Sequence, residues 1–283
     1  MHRPYIDTYR YSQHNIDSHQ YLPSSMPAPI SPSPPLSPSL QSLSAAESQP
    51  QRRQPPRQQF SPYGRKLLAE FLGTFGIVFA GTGAVMVNTL SDGAITHLGI
   101  SFVFGAIVAA MIYTFAHISD AHFNPAVTLA FWSSGFLKRS RVIPYIIAQV
   151  LGAVFASLLL SLSLGQVSQL GATLPLNNNW QQSFILETIL TFLLVIVIFG
   201  SGLDRRAPGG FAGLAIGLTV GLEAAFMGPI TGASMNPARS FSPALVSWHW
   251  EHQWLYWVAP MLGGQIAVWV YRYLSNGFRD LKD

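Results

Sequence analysis

Apolar residues run through this chain in long uncharged blocks. No Asp, Glu, Lys or Arg interrupts residues 71–91, 93–119 or 142–186. A helix of about 20 apolar residues crosses the ~30 Å hydrocarbon core of a bilayer. The blocks predict six full spans, at about 66–90, 95–118, 141–163, 181–202, 209–228 and 252–274. They are rich in Gly, Ala and Ser, as in GTFGIVFAGTGA at 73–84, and small residues let helices approach closely in lipid. The pattern is that of an all-α membrane protein with six transmembrane helices.

Residues 1–60 follow another pattern. They hold 11 Pro, 11 Ser and 8 Gln, half of the segment, with SPSPPLSPS at 31–39. Such a stretch buries too little apolar surface to offset its ordering entropy, and a disordered cytoplasmic tail is expected. It has no apolar core of the kind a secretory signal needs. The recurring Ser-Pro pairs suit a phosphorylated or partner-binding tail, but a passive extension is the plainer reading. Residues 61–283 form the membrane domain.

Composition narrows the function classes. Only 10% of the residues are charged, against about 25% in soluble domains. There is no cysteine, which excludes a disulfide framework, a thiolate metal site and a cysteine nucleophile. His117 and His122 have no carboxylate cluster beside them, so no metal is expected. No cofactor is implied. The net charge of +4 comes from 16 Lys and Arg. Fifteen of these fall on one side of a six-span topology: seven before the first span, Lys138, Arg139 and Arg141, then Arg205 and Arg206, then Arg272, Arg279 and Lys282. They follow the membrane rather than cluster on a folded face, which gives no reason to expect nucleic acid as a partner. The positive-inside rule puts both termini in the cytoplasm of a cell (plasma or inner) membrane. Arg239 alone lies on the other side.

The chain contains an inverted repeat. AHFNPAVTLA at 121–130 and ASMNPARSFS at 233–242 share Ala-x-x-Asn-Pro-Ala, and each is preceded by a span opening with an acid, Glu70 or Glu187. The halves are about 66–163 and 181–274. Three spans in each force the second to enter the membrane upside down, which places a substrate path at the interface of the repeats. Asn is a favoured N-cap and Pro a favoured first helical residue. The apolar residues after each motif, 126–132 and 238–246, are too short to span. Each motif therefore predicts a re-entrant half-helix whose positive N-terminus meets its counterpart at mid-membrane. Irregular backbone at that depth is tolerated only where protein or a wet cavity surrounds it.

With two such motifs in inverted halves, the chain resembles an aquaporin of the major intrinsic protein family over about residues 65–275. SDAHFNPAVTLAF at 119–131 and GPITGASMNPARSFSPALVS at 228–247 are most similar to bacterial and plant nodulin-type members. The resemblance implies a passive channel for water and small uncharged solutes such as glycerol, urea, ammonia or metalloid acids. It implies a homotetramer in the lipid bilayer, and pore motifs formed by Asn124, Pro125, Ala126 and Asn236, Pro237, Ala238. The Asn amides would donate to passing solute while capping their half-helices. Arg239 would form one wall of a selectivity filter with Phe104, Ala224 and Ala233; the plainer alternatives are a snorkelling Arg and a packing Phe. Glu70 and Glu187 would accept hydrogen bonds from the re-entrant loops, and a proton relay is the rival role. Ala224 stands where strict water channels usually carry His, which points to a wider opening. Ser240, in place of the Asp usual in glycerol channels, Ala244 and Tyr256–Trp257 point back toward water. Glu223 abuts Ala224 and has no repeat partner; it tunes the mouth or faces a neighbouring subunit.

A secondary transporter also uses inverted repeats. It would need embedded ion-coupling groups and hinges. Only Glu70, Glu187 and Glu223 are embedded acids, and short loops such as 203–208 leave little slack. No nucleophile–base set suggests an enzyme.

Overall fold

The computed structural model describes residues 61–278, and the tail expected at 1–60 lies outside them. Eight α-helices are found among the described residues: α1 Pro62–Leu90, α2 Thr96–Ser119, α3 Pro125–Ser133, α4 Arg139–Leu164, α5 Trp180–Val197, α6 Ala212–Thr231, α7 Pro237–Ser247 and α8 Leu255–Leu274. α5 continues into a π-turn at Ile198–Leu203. Five helices are long and apolar enough to cross a membrane: α1, α2, α4, α6, and α5 with its π-turn. α8 matches α6 in length. Its Tyr256, Trp257, Gln265, Trp269, Tyr271, Arg272 and Tyr273 make it less apolar. α3 and α7 have 9 and 11 residues and cannot span.

The two halves pack alike. α1 lies against α4 and α2, and α5 lies against α8 and α6. Where the halves meet, α2 crosses α6 with Gly105 on Gly217. A methyl group on Gly105 would come within 2.6 Å of the Gly217 carbonyl oxygen. Within each half, one glycine lets the long helices touch backbone to backbone. Gly152 on α4 lies against the carbonyl of Phe71, the residue after Glu70; Gly263 on α8 lies against that of Thr188, the residue after Glu187. Gly263→Ala drives its new methyl into the Thr188 oxygen, and a fixed backbone cannot yield as a side chain does. The expected cost is about 1–3 kcal/mol, read as a lowered melting temperature of the detergent-solubilised protein. An unchanged temperature would contradict this packing.

After the π-turn, Asp204 folds the chain back. Its carboxylate accepts from Arg206 Nε at 2.9 Å and Nη2 at 2.7 Å, and from the Tyr271 hydroxyl at 2.8 Å. The Arg206 guanidinium holds the Asp204 carboxyl well below the usual carboxylate range.

Candidate conducting pathway

The half-helices begin as the sequence suggests, each capped by its own Asn. Asn124 Oδ1 accepts from Ala126 N at 2.8 Å, and Asn236 Oδ1 accepts from Ala238 N at 3.0 Å. Pro125 and Pro237 occupy the first helical positions. With the oxygens turned to the caps, the amide nitrogens reach across the boundary between the halves. Asn124 Nδ2 donates to Met235 O at 2.7 Å, and Asn236 Nδ2 donates to Phe123 O at 2.9 Å. An amide nitrogen carries two protons, so one on each Asn remains after the crossed bonds are made. Both residues line the same cavity.

Each loop before an Asn is held by a buried glutamate. Glu70 Oε1 accepts from Ser119 Oγ at 2.7 Å and His122 N at 3.0 Å; its Oε2 accepts from Phe123 N at 2.8 Å and Gln149 Nε2 at 2.7 Å. Glu187 Oε1 accepts from Thr231 Oγ1 and Ser234 N, and its Oε2 from Met235 N, all at 2.8 Å. Both loops hold non-glycine residues at positive φ, among them Ala121 at 52° and Phe123 at 50°, then Ala233 at 40° and Met235 at 53°. Such backbone costs a non-glycine residue about 1–2 kcal/mol. The glutamate bonds oppose that cost.

The same bonds aim the carbonyls. In a trans peptide the C=O points opposite the N–H. The N–H groups of His122, Phe123, Ser234 and Met235 face the glutamates. The carbonyls of Ala121, His122, Ala233 and Ser234 therefore face away from them, and all four residues line the cavity. Ile77, Val108, Ile112, Ile216 and Val220 add an apolar wall. The cavity holds about 240 Å³, room for several waters.

Phe104, Ala224, Ala233 and Arg239 all line this cavity and are 5–8% exposed. The Arg239 guanidinium lies over the Phe104 ring, 5.1 Å from its centroid, a cation–π arrangement. Its Nη1 donates to Gly171 O at 2.8 Å, while Nε has no partner among the described residues. At the end nearer the basic loops, the lining includes Asp120, Gly202 and Leu203. Lys66 Nζ lies 3.3 Å from Asp120 Oδ2 there.

Sequence reasoning missed several supports. The hydroxyls of Tyr145 and Tyr256 donate to Ser119 O at 3.1 Å and Thr231 O at 2.7 Å. These tyrosines occupy matching places in the two repeats, and a repeat alignment extended into α4 and α8 would have found them. Gln149 bridges Glu70 and Thr128, but its place in the second half is taken by Pro260. Gly171 lies in a segment with no repeat counterpart and had no signal.

Comparison with known proteins agrees with this architecture. Residues 58–271 match the major intrinsic protein family. The chain is 45% identical to aquaporin NIP1-1 of Zea mays over 78% of its own length and 79% of the relative's. It is 44% identical to nodulin-26 of Glycine max over 74% and 78%. Among solved structures, the aquaglyceroporin from Plasmodium falciparum is similar with a TM-score of 0.68 and 26% identity, covering 74% of this chain and 95% of that one. The paired half-helices, the membrane-length helices around them and the match over most of its length together make this chain a multi-pass membrane protein that belongs to the major intrinsic protein family.

Proposed function

We propose that the protein is a passive channel for water and small neutral solutes, and not an enzyme. One observation carries the reading: a single cavity is lined by Asn124, Asn236, the loop residues before each of them and Arg239. A solute would move along the carbonyls with the apolar wall opposite. The remaining proton on each Asn would be offered to it at the centre. Two half-helix N-termini and the Arg239 charge would oppose protons and cations there. Phe104, Ala224, Ala233 and Arg239 act as the selectivity filter, and two methyl walls suit solutes wider than water, such as glycerol or urea. Glu70 and Glu187 act as structural acceptors, since their oxygens already hold loop donors. That occupancy argues against a proton relay and against an ion-coupled transporter.

The basic residues at 65–66, 138–141, 205–206 and 272 support cytoplasmic termini in the plasma or inner membrane. The outer face of the α2–α6 pair carries an apolar groove floored by Gly105, Gly217 and Gly221. It suits helix packing between subunits of a homotetramer. Residues 61–283 conduct in this reading, and residues 1–60 are not required for conduction.

Stopped-flow swelling of proteoliposomes tests the function. Water flow should show a low activation energy, and glycerol and urea flow should be measurable and unsaturable. Because the chain has no cysteine, mercurials should not block it. Saturable flux that requires an ion gradient would favour a transporter instead.

A further inference from the structure

Among the described residues three glutamates are buried, and one of them has no hydrogen-bond partner there. Glu70 and Glu187 spend both oxygens on loop donors. Glu223 is 3% exposed, and neither of its carboxyl oxygens has a hydrogen-bond partner among the described residues. Burying a carboxyl without a partner costs several kcal/mol, and buried polar atoms are almost always paired. The matching position in the first half is Met111, an apolar side chain packed beside Gly76. Shape therefore does not demand an acid here.

Position suggests what the acid serves. On α6, Ile216, Val220 and Ala224 line the cavity. Glu223 is one residue before Ala224 and three after Val220, at the edge of that stripe; it is not itself among the lining residues, and its carboxyl oxygens are buried behind them. Beside it, the Ala224 and Ala233 methyls leave the filter open. The other filter side chains are the Phe104 ring and Arg239, which only donates. The filter side chains thus provide donors and no acceptor, and the Ala233 carbonyl is the acceptor that the filter's backbone offers. Glycerol hydroxyls and urea amides donate as well as accept.

We propose that Glu223 is a specificity-determining residue of the channel: its carboxyl, buried behind the lining residues, swings past the Ala224 methyl into the pathway and accepts hydrogen bonds from solutes as they pass Arg239. The inference rests on the reading of the protein as a channel for water and small neutral solutes. Water, small and able to turn, depends little on this acceptor. Glycerol and urea, held in one orientation by Arg239, depend on it strongly.

The test uses the full chain in proteoliposomes, as wild type, Glu223→Met and Glu223→Gln. Water, urea and glycerol permeabilities are measured at equal protein density. Water flow serves as the folding control and should stay within about twofold in all three. In Glu223→Met the urea-to-water and glycerol-to-water ratios should fall about tenfold, the effect of one lost hydrogen bond. Glu223→Gln keeps a carbonyl acceptor and should retain most of both ratios. An unchanged ratio in Glu223→Met would overturn the proposal, as would an equal loss in both variants or a parallel loss of water and solutes. A wild type that passes water alone would overturn it and leave the water channel standing. A wild type that passes neither would remove the channel reading itself.

Discussion

Ala224→His should shut the channel to glycerol and urea while water continues to pass. Ala224 lines the same cavity as Phe104, Ala233 and Arg239. An imidazole there fills the space opposite the guanidinium and narrows the opening to about one water. It also brings polar nitrogens to the ring, which replace hydrogen bonds that water gives up on entry. Water permeability is therefore expected within about threefold of wild type, while glycerol and urea fall by roughly a hundredfold, since steric exclusion is steep in a single-file pore. Paired water and solute assays at equal protein density check this. Undiminished glycerol flow in the variant would mean that Ala224 does not border the narrowest point.

Glu187→Leu should remove the channel from the membrane fraction altogether. The substitution leaves Thr231 Oγ1 and the N–H groups of Ser234 and Met235 without their acceptor. Each buried orphan costs about 1–3 kcal/mol, and three of them rival the 5–15 kcal/mol by which a typical fold is stable. The loop also loses what holds Ala233 and Met235 at positive φ. Glu187→Gln keeps one acceptor oxygen and turns an amide donor toward one N–H. It should fold with a lowered melting temperature and reduced water flow. Size-exclusion profiles and thermal melts of the solubilised variants separate these outcomes. A monodisperse, fully conducting Leu variant would show that the loop does not depend on this acid.

The sequence made much of this architecture legible because the membrane and the repeat constrain it so strongly. Uncharged blocks located the helices to within a few residues: the last span was expected from 252 and begins at Leu255, and the fifth ends at Thr231 rather than 228. Asn-Pro-Ala located both half-helices, since capping and proline chemistry act over three or four residues. What periodicity could not supply was pairing across long separations. The Asn124 bond to Met235 and the Arg239 bond to Gly171 use backbone carbonyls, which every residue possesses and no side-chain pattern marks. The π-turn after α5 was equally hidden, because Ile198–Leu203 reads as the end of an ordinary apolar span.

The crossed bonds from each Asn to the carbonyl before the other bear on how the chain is made. When the ribosome has released only the first three spans, the Phe123 carbonyl has no amide to accept from and Asn124 has no carbonyl to receive its proton. The first loop must wait, with Glu70 steadying it from behind, until residues 235 and 236 arrive more than a hundred positions later. Assembly of the centre is therefore a late event of synthesis, and either half expressed alone lacks the groups that complete its own loop. Two halves supplied as separate polypeptides carry between them every donor and acceptor the centre requires.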